Sequence, residues 1–408
     1  MDYCQQGQNR ENLMIPYGRQ DINEDDVASV LEVLQSDFLT QGPAVPRFEN
    51  AVANYCGATY AFAVNSATSG LHLACMALEL GPGDWLWTSP ISFVASANCA
   101  LYCGAEVDFV DIDPRTYNIS IECLKEKLVL AEKKGRLPKV VVPVHLCGQS
   151  CDMAAIRELG DKYGFTIIED ASHAIGGAYR GELIGSCKYS DITVFSFHPV
   201  KIITTGEGGM VLTNTKQLAE KVSLLRSHGI TRDPSLMTHV SDGPWYYQQL
   251  ELGFNYRMTD IQAALGMSQM KRVSNFVEKR KNLSYRYNEL LSNLPLIIPW
   301  QEEETSSAWH LYVVRLAGGL GKKLHRQIFE ALRDAGIGVN LYYIPIYLQP
   351  YYRNMGFAPG LCPEAERYYT EAFTLPLYPG ITLKLQDEVV DAVRLTLRHI
   401  NIGSKFIN

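Results

Sequence analysis

The 408-residue chain lacks several features, and each absence removes a class of function. No apolar run approaches the ~18–20 residues needed to span a bilayer, so no membrane span is expected. The first twelve residues, MDYCQQGQNREN, are polar and lack the apolar core of a secretory signal. No stripe or arm of lysine and arginine appears. The net charge of −7 comes from well-mixed acids and bases, which speaks against a nucleic-acid partner. No G-x-G-x-x-G opens a helix after a strand, and GGLGKK at 318–323 has neither Walker spacing nor its Ser/Thr. The ten cysteines are scattered, and Cys75 and Cys99 lie inside apolar runs. Cys99/Cys103 and Cys147/Cys151, even with His145 and His173, lack the usual zinc spacing. Buried reduced thiols, no metal and a soluble cytoplasmic protein are expected.

What remains is a chain that is 47% hydrophobic, enough for a large core and more than one domain. Short apolar runs alternate with helical patterns: YAFAV (60–64), WLWT (85–88), EVDFV (106–110), VVVPV (140–144), FTIIE (165–169), the run 191–197 and GMVLTN (209–214). That alternation predicts an α/β fold with a mostly parallel central sheet and flanking helices. From about 258 the texture changes. One long helix is expected over 261–294, then strands at 309–316 and 338–344 and helices at 321–334, 363–373 and 385–400. The organisation reads as a variable N-terminal extension (1–13), a large α/β domain (14–260), and a linking helix with a small C-terminal α+β domain (261–408).

Ligands of such a sheet collect beyond the carboxyl ends of its strands. Four stretches fall there. NSATSG (65–70) offers hydroxyls and backbone N–H groups at a helix start, as a phosphate cradle or as an ordinary N-cap. EDASHA (169–174) ends a strand in two carboxylates, of which alternation lets only one face the site. ISFVASA (91–97) presents Phe93, to stack on a flat ligand or to pack in the core. SFHPVKIITTGEGG (196–209) runs a strand into a turn carrying one amine, Lys201, beside bare glycine backbone. A lysine, a carboxylate, a phosphate cup and an aromatic face together suit pyridoxal phosphate, whose aldehyde needs the amine and whose pyridine nitrogen needs the acid.

SFHPVKIITTGEGG (196–209), EDASHAIG (169–176), NSATSGLHLA (65–74) and LGFNYRMTDIQAALG (252–266) resemble the DegT-type nucleotide-sugar aminotransferases, fold-type-I enzymes that depend on pyridoxal 5′-phosphate. The likeness runs from Ile15 almost to the end. IPYGRQDI (15–22) and SDFLTQGP (36–43) resemble the members that serve pseudaminic acid biosynthesis. The resemblance implies Lys201 as the catalytic lysine, Asp170 as partner of the pyridine nitrogen and Phe93 on the ring. Ala67, Thr68 and Ser196 would hold the phosphate, with Asn255 reaching it from the other subunit of a homodimer. Tyr17, Asp37, Phe38, Leu39, Thr40, Tyr342, Tyr343, Ile344 and Pro345 would line the sugar-nucleotide site, and His173 and Gln149 the cofactor's edge. Roles for Arg257 and His228 stay open between surface pairing and substrate contact. The implied reaction moves an amino group from L-glutamate to C4 of a UDP-4-keto-6-deoxy-N-acetylhexosamine. A GDP-perosamine-type acceptor and a non-catalytic regulator are the alternatives, and Lys201 argues against a sugar dehydratase, which carries histidine there.

Overall fold

The computed structural model describes residues 14–400, so the extension 1–13 lies outside the described residues. Seven strands form the main sheet: β1 (Tyr60–Val64), β2 (Trp85–Thr88), β3 (Glu106–Phe109), β4 (Val140–Val142), β5 (Thr166–Asp170), β6 (Ile192–Ser196) and β7 (Gly209–Thr213). Their order is β1-β7-β6-β5-β4-β2-β3. Only β7 runs against its neighbours β1 and β6, because it follows β6 directly through residues 197–208 with no crossover helix. All other pairings are parallel. The strands β4, β6 and β7 are buried at every position, which explains their mostly apolar make-up.

Both faces of the sheet are covered. Val194 and Val211 point into a core shared with α3 (Ala67–Ala77), α4 (Ala95–Tyr102) and α7 (Lys216–Leu225). The alternate residues Phe195 and Met210 point into a second core with α2 (Ala44–Cys56) and α8 (Asp260–Met270). α5 (Ile121–Lys133) and α6 (Met153–Tyr163) close the β4 side through Leu124, Leu128 and Ile156.

The long helix expected over 261–294 is two helices, α8 and α9 (Val273–Leu291). Arg272 leaves helical geometry between them (φ −113°) and ties to Asp21 at 2.6 Å and to Asp26 at 2.5 Å. Asp26 is fully buried at the start of α1 (Glu24–Leu34), where Gln269 also donates to it at 2.7 Å. That charge pairing holds the break, and a hydrophobic period cannot register it.

A second sheet, β8 (Leu296–Ile297), β9 (Tyr312–Leu316) and β10 (Ala372–Leu375), is antiparallel with β9 in the middle. Around it pack α10 (Gly321–Asp334), α12 (Pro363–Glu371) and α13 (Leu383–His399), whereas α11 (Pro350–Asn354) sets Tyr352 against Phe109 of β3 and Asn98 of α4. The strand expected at 309–316 begins only at Tyr312. The one expected at 338–344 reduces to a single bridge between Asn340 and Thr374, because Tyr342 and Tyr343 turn into a cavity instead of a sheet. β10 lies partly where a helix to 373 was expected. Ile15 pairs with Ile337, and its side chain joins the C-terminal core.

Candidate active site

A cavity of about 830 Å³ opens at the carboxyl ends of β1, β5 and β6. Its walls include Ser66, Ala67, Thr68, Phe93, Asp170 and Lys201.

Asp170 is the last residue of β5 and is buried. Ser96 donates to its Oδ2 at 2.6 Å, and Ser172 donates to Oδ1 from its hydroxyl at 2.6 Å and its N–H at 3.1 Å. Ser96 lies in the first turn of α4 and Ser92 in the bend before it, with the two hydroxyls 2.6 Å apart. Glu169 points to the other side of β5, as alternation demands. There it meets His145 Nε2 at 2.7 Å, Ser190 and Thr193. Only one of the two carboxylates faces the cavity.

Lys201 lies on the β6–β7 connection. Two threonines close that loop: Thr204 Oγ1 donates to the Phe197 carbonyl at 3.0 Å, and Thr205 Oγ1 to the Glu207 carbonyl at 2.6 Å. Burial pulls the Lys201 ammonium down to about 8, against the opposing pull of Asp170. At pH 7 about a tenth of such an amine is neutral, far more than of an ordinary lysine, and the neutral form is the one required of a nucleophile and proton carrier.

At the start of α3, Ser66 caps the helix by accepting the Ser69 N–H at 3.1 Å. Ala67, Thr68 and Ser69 of the first turn line the cavity beside Ser196, and a helix start so placed suits an anion. The turn lies close against β7. A Cβ at Gly209 would stand 2.7 Å from the Ala67 nitrogen and 2.8 Å from the Phe195 carbonyl oxygen, so only glycine admits this approach.

Phe93 is 58% exposed on the opposite wall, with Tyr343 6.3 Å away between ring centroids. His173 is buried, and the hydroxyl of Tyr343 lies 3.2 Å from its Nε2. Burial and the nearby Lys201 hold His173 neutral, well below its ordinary range, and its Nδ1 has no partner among the described residues. Amine, carboxylate, cradle, exposed aromatic face and an unpartnered imidazole nitrogen together fit pyridoxal phosphate.

The remaining expected residues divide. Tyr17, Tyr342 and Tyr343 line the cavity, with Tyr17 and Tyr342 ring centroids 5.3 Å apart. Asp37, Phe38, Leu39 and Thr40 are exposed and outside this chain's lining, tied to α8 by the Asp260 N–H to Leu39 carbonyl bond. Ile344 is exposed and Pro345 buried, and neither lines the cavity. Asn255 is exposed outside it. Gln149 is not at the cavity's edge: its amide donates to the Trp300 carbonyl and accepts from Glu302 N and Thr305. Arg257 donates to Ser227, and His228 is exposed. Sequence reasoning missed Asn65, Ser92, Ser172, His198, Glu207 and Gln262 in the lining, and Ser96 behind it. The Ser92/Ser96 pair at helical spacing was the readable signal among them.

The family model described as the DegT/DnrJ/EryC1/StrS aminotransferase family matches residues 20–394. The spore coat polysaccharide biosynthesis protein SpsC of Bacillus subtilis is 37% identical over 94% of this chain and 97% of its own. The UDP-4-amino-4,6-dideoxy-N-acetyl-beta-L-altrosamine transaminase of Campylobacter jejuni serotype O:23/36 is 35% identical over 96% of this chain and 99% of its own. Among solved structures, Helicobacter pylori PseC, an aminotransferase involved in pseudaminic acid biosynthesis, superposes with a TM-score of 0.86. It is 31% identical and covers 95% of this chain and all of that one.

Proposed function

The chain belongs to the DegT/DnrJ/EryC1/StrS aminotransferase family, and from that premise we propose that it aminates C4 of a UDP-4-keto-6-deoxy-N-acetylhexosamine, with L-glutamate as donor. The observation that carries the reading is the convergence of Lys201 and Asp170 on one cavity with the α3 cradle. Pyridoxal phosphate supplies, when bound, an electron sink for the carbanion formed at the donor's α-carbon.

The chain's own groups do the rest. Lys201 would hold the cofactor's aldehyde carbon and would carry the proton to and from the donor's α-carbon. Asp170, fixed by Ser96 and Ser172, keeps a proton on the ring nitrogen. The start of α3, with Thr68 and Ser196, holds the phosphate, and Phe93 covers the ring. Tyr17, Tyr342 and Tyr343 flank the space left for the sugar. Asp37–Thr40 and Asn255 face solvent in one chain. In a homodimer Asn255 reaches the partner's phosphate, and the exposed Phe38 and Leu39 border the sugar nucleotide. The C-terminal unit after 261 forms the small domain over the cavity, and the work is done in the cytoplasm on a surface-glycan precursor.

SpsC, a polysaccharide-biosynthesis relative of comparable identity, favours a second reading: the same chemistry on another 4-keto nucleotide sugar. One experiment separates the readings. The protein loaded with pyridoxal phosphate absorbs in the visible, borohydride fixes the label on the Lys201 peptide, and L-glutamate bleaches the band. A panel of UDP-, dTDP- and GDP-linked 4-keto sugars then restores it, the UDP N-acetyl sugar fastest. Absence of any band overturns the assignment, and full biological activity of Lys201→Ala would favour a regulator.

A further inference from the structure

Beside Asp170, on the other face of β5, lies a second polar centre that does not line the cavity. The sequence explains its construction. Pro143 ends β4, since it has no N–H to continue a ladder, but its carbonyl still accepts the Asp170 N–H at 3.0 Å. Two residues later the His145 N–H donates to the Asp170 carbonyl at 3.1 Å, and Val144 bridges Asp170 in parallel register. The backbone of Asp170 is therefore clamped by the segment 143–145, and from the β6 side by Ala171 N to the Val194 carbonyl at 2.9 Å.

The side chain of His145 folds back over this clamp. It is fully buried, with Nε2 2.7 Å from Glu169 Oε2, and its Nδ1 accepts the Cys151 N–H at 3.1 Å. Because Nδ1 accepts, the proton sits on Nε2 and is donated to the carboxylate. Glu169 Oε1 takes the hydroxyls of Ser190 and of Thr193, the latter at 3.2 Å. Burial works against a charge on Glu169, and it is outweighed by the His145 N–H and the Ser190 and Thr193 hydroxyls, which hold the acid down. His145, whose Nδ1 accepts a backbone N–H, is the neutral donor to that carboxylate.

Taking a carboxylate out of water costs free energy that apolar residues of the same size would not, so the presence of Glu169 here calls for another reason. We propose that His145 and Glu169 are positioning residues for Asp170: they fix the β4–β5 register at the last residue of β5, so that the neighbouring carboxylate meets the cofactor's ring nitrogen. The inference rests on the pyridoxal phosphate assignment. It concerns groups that touch neither substrate nor cofactor and act only through the backbone they clamp.

The test is a coupling measurement on cofactor-free protein with pyridoxamine 5′-phosphate as probe, whose binding needs no covalent bond to Lys201. Dissociation constants are measured for the wild type, Glu169→Gln, Asp170→Asn and the double variant. Positioning predicts that Glu169→Gln weakens binding about tenfold or more in the wild type but less than about twofold once Asp170 is already Asn. Equal losses in both backgrounds, or a lowered melting temperature with unchanged affinity, would overturn the proposal and leave the pair a structural brace. If Glu169→Gln yields no folded protein, Ser190→Ala, which removes one donor to Glu169, is read in the same cycle. A wild type that does not bind the probe would instead refute the cofactor assignment.

Discussion

The hydroxyl of Ser96 on α4 lies 2.6 Å from Oδ2 of Asp170 at the end of β5, joining a helix to a strand that is distant in sequence. With Ser172 on the other oxygen, the carboxylate is held at both ends and cannot rotate away from the cavity. A hydrogen bond to a charged group is worth about 1.5–3 kcal/mol. Ser96→Ala is therefore expected to weaken pyridoxamine 5′-phosphate binding about tenfold without loss of fold, measured by fluorescence titration and circular dichroism.

Asp170→Asn removes the charge that keeps the ring nitrogen protonated but preserves the side chain's shape. Turnover with L-glutamate should fall by about 10²–10³, the scale of losing one preorganised electrostatic group. The covalent label on Lys201 should persist. Single-turnover bleaching of the visible band separates the two effects.

Burial sets the Lys201 amine at about 8, and only its neutral form attacks an aldehyde. The rate at which cofactor-free protein captures pyridoxal phosphate should rise about tenfold per pH unit below 8 and level off above it. Stopped-flow absorbance gives the profile, and a bend near 10 would contradict the buried amine.

The same lysine carries a stability signature. Its ordinary value is 10.5, so between about 8 and 10.5 the unfolded chain binds a proton that the folded chain has released. Stability thus rises with pH across that window, and below 8 the full cost of the buried ammonium is present. Lys201→Met should raise the melting temperature of the cofactor-free protein at pH 7, and its advantage should shrink by pH 9.5.

Gly209→Ala would drive a methyl group into the Ala67 nitrogen and the Phe195 carbonyl, both fixed backbone. Overpacking of this sort costs about 1–3 kcal/mol. The turn at Ser66–Thr68 must give way, so phosphate affinity should fall together with the melting temperature, whereas Gly206→Ala, with no atom within 4 Å of its added Cβ, should leave the turn intact despite a strained φ of 82°.

The sheet was readable because its inner strands are covered on both faces, so β4, β6 and β7 are buried throughout and mostly apolar. Lys201, Asp170 and the Ser66–Thr68 turn could be read because each ends or follows such a strand. LYYIP at 341–345 misled for the opposite reason: its aromatic rings cover a cavity, and apolar content alone does not tell a cavity wall from a strand. The α8–α9 break depends on Arg272 meeting Asp21 and Asp26, some 250 positions earlier, and local periodicity carries no trace of that partnership. Ser96 and Gln262 escaped likewise, since neither residue type announces a ligand without its distant neighbour.

The reversed strand β7 has a consequence for how the protein becomes competent. Its pairing with β6 is a local closure that sets the Lys201 loop early, while its pairing with β1, at the edge of the sheet, joins Tyr60 to Thr213 over a long separation in sequence. Loop-closure entropy makes the second contact the slower one. The anion cradle at the end of β1 is therefore finished after the lysine loop, and a nascent chain exposes its reactive amine before it can grip the phosphate. Tight, phosphate-dependent capture of the cofactor thus marks the moment at which the sheet is complete.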